Sequence, residues 1–209
     1  FVANSGKIGE AKEIIKSAIK LYPRNLLINQ YKLDLEENKN SQVFDCKKEE
    51  HISAEILYIA ANALSSQTIY ALSNFYLHLA KYLNEGFHSY DILLAENFYK
   101  IDDLEKAKKT YNSLSKNGKA FEWYSSKQLA KILLQEQNKN KALKLVSNTF
   151  DSLTVKDIYE TFDYAEFLKN NEKFKKSIFF YSKILDVVDR DDPLYAEATD
   201  GRGVAYEQI

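Results

Sequence analysis

Methionine is absent from this chain, even at position 1, and there are only one cysteine, two prolines, six glycines and one tryptophan in 209 residues. So little Gly and Pro leaves too few turn signals for a many-stranded sheet. The lone Cys46 has no partner for an internal disulfide and does not set the redox compartment. Lys and Arg number 29 against 30 Asp and Glu, a net charge of −1. The basic excess with which a general nucleic-acid binder neutralises phosphates is therefore missing. No apolar run approaches the ~20 residues of a transmembrane helix, and no secretory signal is visible. Because the chain opens at Phe1 and closes at Ile209 within apolar helical patterns, the parent protein is expected to continue in both directions.

What is present is apolar content of 45% and aromatic content of 13%, with 15 tyrosines. Apolar residues recur at spacings of three and four nearly everywhere, which predicts amphipathic helices and an all-α fold. Polar turns at 4–7, 101–103, 137–140 and 170–173 separate them. The pattern predicts helices over about 26–37, 53–65, 69–83, 88–100, 104–115, 121–136, 139–150, 156–170, 174–188 and 194–208.

The turns are evenly spaced, and so are the small residues between them. In alternate helices Ala61, Ala95, Ala130, Ala165 and Gly203 fall at steps of 34, 35, 35 and 38. In the intervening helices a second column runs Ala11, Ser73, Ala107, Ala142 and Ser177. A large residue follows four positions later (Ile15, Leu77, Tyr111, Val146, Tyr181), and a third column three beyond that (Ala18, Ala80, Leu114, Thr149, Ile184). Two helices approach closely only where side chains are small, and larger ones beside the contact fill the space. A helix pair of this length cannot bury its apolar face alone and must stack on a neighbour.

With these columns the sequence resembles the tetratricopeptide (TPR) repeat family. The match is clearest at 6–23, GKIGEAKEIIKSAIKLYP, then at 93–111, LLAENFYKIDDLEKAKKTY, and at 164–185, YAEFLKNNEKFKKSIFFYSKIL. GRGVAYEQ at 201–208 is similar to the start of another first helix. The first-helix aromatic of the family is replaced by Leu57, Asp91, Ser126, Thr161 and Thr199, so the array is degenerate. The resemblance implies a right-handed α-solenoid of antiparallel helix pairs, a TPR-like superhelix. Residues 1–37 would be a truncated repeat plus one helix, 38–51 an irregular linker, and 52–209 four repeats and the start of another.

Chemistry of other kinds is not legible. His51, His78, His88 and Cys46 show no metal-ligand spacing. The acidic stretch 186–192, DVVDRDD, lacks the glycine and closing glutamate of a calcium loop. The glycines near 5–9 and 201–203 do not form a phosphate loop, and Lys173, Lys175 and Lys176 read as a solvated helix start. No enzyme activity, cofactor or metal is expected.

In TPR arrays the first helices line the concave face. The resemblance therefore implies a peptide-binding groove formed by Tyr58, Asn62, Glu96, Tyr99, Tyr124, Lys127, Lys131, Tyr159, Phe162 and Lys169. The implied function is a protein–protein interaction scaffold for another protein or peptide. Alternatives are a recruitment or regulatory array of a larger multidomain enzyme, or a structural array in a bacterial envelope assembly. The Lys-, Asn- and Ile-rich composition suggests a bacterial source and the cytoplasm or periplasm, with a lean to export.

Overall fold

The computed structural model describes residues 2–39 and 44–209, and among these there are eleven α-helices, two short 3-10 turns and no strand. The helices are α1 (Ile8–Leu21), α2 (Leu26–Glu36), α3 (Glu49–Ser66), α4 (Tyr70–Leu83), α5 (Ser89–Lys100), α6 (Leu104–Leu114), α7 (Lys119–Gln135), α8 (Lys139–Ser152), α9 (Ile158–Asn170), α10 (Phe174–Leu185) and α11 (Pro193–Glu207). The protein is all-α, and every helix expected from the periodicity is found. The largest shift is at α3, which begins at Glu49 rather than near 53. Glu49 and Glu50, expected in the linker, sit instead in its first turn, where acids complement the positive end of the helix dipole. Residues 40–43 of the expected linker lie outside the described residues.

The chain divides into two compact units, Phe1–Ile132 and Leu133–Ile209. In the first, α1 packs on α2, α3 on α4, α4 on α5 and α5 on α6. In the second, α8 packs on α9, α9 on α10, and α11 on both α10 and α9.

The small-residue columns mark the core. Ala61, Ala95, Ala130 and Ala165 are fully buried, as are Ser73, Ala107, Ala142 and Ser177. The large residues beside them, Leu77, Tyr111, Val146 and Tyr181, are at most 1% exposed. The exception is Gly203, which is exposed with open space beyond its Cα. Gly201 takes the close-packing place in α11: a Cβ there would lie 2.6 Å from the Tyr181 ring. The last step of the column is thus 36 residues (201 − 165), not 38.

The turns carry a column of their own. Asn38, Thr68, Asp102, Gln137 and Glu172 all adopt positive φ between 54° and 64°. Each follows a helix, and the next amide closes back onto the last turn, as in Ile69 N to Leu64 O and Lys173 N to Leu168 O, both 2.9 Å. This is the Schellman arrangement, which satisfies carbonyls the helix leaves free. From Thr68 onward the positions step by 34, 35 and 35 residues. No glycine occupies any of them, so the column is silent in the composition.

Helix starts are set by short polar side chains. Asn25, Asp103 and Asp192 cap α2, α6 and α11, and Asp157 with Glu160 forms a full capping box on α9.

Candidate functional site

In the first unit α3, α5 and α7 hold most of the residues expected in a groove. Tyr58 is half-buried, with its ring 5.8 Å from Phe87 and 5.4 Å from Tyr90. Burial pushes its phenol above the usual tyrosine range, against the pull of a hydrogen bond with Ser89. Asn62 lies one turn further along α3 and is exposed. Tyr58, Asn62 and Glu96, with Ile92, line one cleft of about 230 Å³ whose opposite wall is Leu26 and Leu27 of α2.

Glu96 is also the acceptor for Tyr124, whose hydroxyl donates to Oε1 at 2.7 Å across α5 and α7. The Tyr124 ring meets Tyr111 edge-on at 6.2 Å. Burial first, then the negative charge of Glu96, drives both phenols well above the ordinary range. Tyr124 is therefore a packing residue as much as a surface one. Tyr99, at 36% exposed, and Lys131 stand free at the surface. Lys127 sits 5.4 Å above the Trp123 ring, a cation–π placement.

In the second unit the expected groove residues turn inward. Phe162, expected in the groove, is 7% exposed and belongs to a core cluster with Ala165, Tyr181, Ile184, Leu194 and Ala198. It lies three residues before Ala165, so it shares the buried stripe of α9. Half-buried Tyr159 packs against the same cluster. Lys169 bonds Glu166 at 2.6 Å and lies 5.9 Å from the Tyr181 ring, while the Tyr181 hydroxyl donates to the same Glu166 oxygen. Its charge is compensated locally.

The residue that sequence reasoning missed is Gln30. Its Oε1 accepts the amide of Ala120 at 3.0 Å, across 90 residues of sequence, and it is 5% exposed. The one hint lay at Gly118, which precedes a long helix and has no side chain to cap it.

Among the described residues no group of three or more His, Cys, Asp or Glu side chains could hold a metal ion, and no helix is long and apolar enough to cross a membrane. Large apolar side chains are exposed at helical spacing on α3 (Ile52, Ile56, Ile59) and on α4 (Leu72, Phe75, Leu79). Comparison with models of protein families and with curated proteins finds no match to this chain.

Proposed function

We propose that the chain is a TPR-like array of stacked helix pairs, wound as a right-handed solenoid, that binds a protein or peptide on the side lined by its first helices. The observation that carries this reading is the 34- and 35-residue spacing of small residues that are all fully buried. It is the signature of stacked helix pairs rather than of a closed bundle. On α3, α5 and α7 the same spacing sets Asn62, Glu96 and Lys131 in one column, with Asn62 and Lys131 exposed, as is Tyr99, beside half-buried Glu96, Tyr124 and Lys127. Such a surface offers aromatic area for affinity and charge for orientation. The reading assigns no catalytic role to any residue.

The test is affinity capture with the full chain, followed by titration of the captured partner against single variants. Tyr124 is a poor probe, because its hydroxyl ties α7 to α5 and its ring packs on Tyr111 of α6. Tyr99→Ala should weaken binding by about 1–3 kcal/mol, and Lys131→Glu should weaken it chiefly at low salt. A partner that binds wild type, Asn62→Ala, Tyr99→Ala and Lys131→Glu alike does not use this face, and the reading fails.

A further inference from the structure

Helix α2 lies across the face described above. Its first turn, Leu26 and Leu27, walls the cleft over Tyr58, Asn62 and Glu96. Its middle, Gln30, reaches the start of α7. Its last turns, with Leu33 and Glu37, line a second cleft of about 250 Å³ with Ser115, Lys116, Gly118 and Lys119. One helix of eleven residues thus faces α3 and α5 across a cleft at its first turn and bonds the start of α7 at its middle.

The centre of this contact is specific. The first amides of a helix have no internal partner. In α7 the residue before the first turn is Gly118, whose carbonyl accepts from Glu122 at 2.8 Å and which offers no side chain. Gln30 supplies the missing acceptor to Ala120, and its own amide donates to Asp34 at 2.8 Å within α2. A Cβ at position 118 would stand 2.3 Å from three Gln30 side-chain atoms, and φ there is +151°. Position 118 is a cradle for the end of a glutamine.

Around that centre the contact is loose. Gln30 is the only buried residue of α2, whereas α5 and α7 each bury eight. Clefts remain on either side of Gln30, and a third, of about 460 Å³, separates α2 from α1. Helix α2 is held as a ligand is held, by one buried polar anchor between two open clefts, the first walled by Leu26 and Leu27 and the second largely polar.

We infer that the α3–α5–α7 face is a helix-binding surface and that α2 is its intramolecular occupant. The partner is an amphipathic helix with the pattern of α2: two adjacent apolar residues, a glutamine three positions on to cap α7, and an apolar residue three further. This deepens the scaffold reading and rests on it only for the existence of a partner protein. Because α2 is tethered, its effective concentration at the face is of millimolar order, and a free helix competes poorly until α2 is weakened.

The experiment uses the full chain and a fluorescent peptide of residues 25–39 as the probe. Leu26→Ala/Leu27→Ala and Gln30→Ala each weaken α2 without altering the face. In both, hydrogen exchange at 26–36 should rise at least tenfold while α4–α6 keep their protection. The peptide should bind these variants at least tenfold more tightly than wild type. A peptide with Gln30→Ala should lose that gain. Gly118→Ala should also release α2 but leave the peptide unbound, because the cradle is filled. Unchanged exchange through α2 in both weakened variants would make α2 a fixed part of the array and overturn the inference. So would a released α2 with no peptide binding, or equal binding to Gly118→Ala. The titration can fail while affinity capture on Tyr99 and Lys131 succeeds, and the reverse, so the two ideas are separable.

Discussion

The Asn97 side-chain amide donates to the Ser73 hydroxyl at 2.9 Å, in a place where both residues are fully buried. Ser73 passes the bond on to the Ala61 carbonyl at 2.7 Å, so the small residue at the α3–α4 contact is polar for a reason. Asn97 also donates to Asn74 at 2.8 Å and accepts from Ser65 at 2.6 Å. One amide therefore ties α3, α4 and α5 together in the middle of their contact.

Removing that amide should be costly. Asn97→Ala leaves Ser65 and Asn74 buried without their partner, and each such group costs about 1–3 kcal/mol. Urea unfolding should show a loss of at least ~2 kcal/mol, and Ser73→Ala a smaller one. An Asn97→Ala midpoint equal to wild type would show that water reaches the cluster.

The two glycines of α11 should respond in opposite directions. Gly203 faces open space, so Gly203→Ala should stabilise the helix by up to about 1 kcal/mol through propensity. At Gly201 the new methyl meets the buried Tyr181 ring, and Gly201→Ala should destabilise by about 1–3 kcal/mol. Paired thermal melts decide it; equal shifts of one sign would place Tyr181 elsewhere.

Asp91 makes stability pH-dependent. Burial alone would raise its carboxyl, but the hydrogen bonds from His88 and Lys81 outweigh burial and hold it below the ordinary value. Lys81 Nζ lies 2.5 Å from Oδ1 of Asp91, whose side chain is 8% exposed. A carboxyl that titrates lower in the folded state adds its full stability above the unfolded range, and loses it as pH falls through the folded value. Lys81→Met should cost about 1–3 kcal/mol near pH 7, and the difference from wild type should shrink in acid as Asp91 takes a proton. A pH-independent difference between the two unfolding curves would rule the pair out as its source.

The left-handed turn residues carry strain that glycine relieves. Thr68 is β-branched and sits at φ 63°. Thr68→Gly should raise stability by about 0.5–1 kcal/mol, the relief of the side-chain clash exceeding the entropy glycine adds to the unfolded chain. Chemical denaturation checks this, and a destabilised variant would mean that the Thr68 side chain makes a compensating contact.

The helices, their order and the buried columns were legible because they are periodic. A side chain's place on a helix follows from a 3.6-residue turn, and a small residue at a close contact recurs with the repeat. Ala130, Ser177 and Tyr181 could therefore be assigned to the core without coordinates. Periodicity does not choose between Gly201 and Gly203, which lie two residues apart on different sides of one helix. That choice belongs to Tyr181, twenty residues earlier. Nor does it distinguish an inward Phe162 from an outward Tyr99, since both are aromatics on first helices. Least legible of all was the bond from Gln30 to Ala120. It depends on the path of the chain that brings α2 to the start of α7, and a path set by packing between distant segments leaves no local pattern in the residues that meet there.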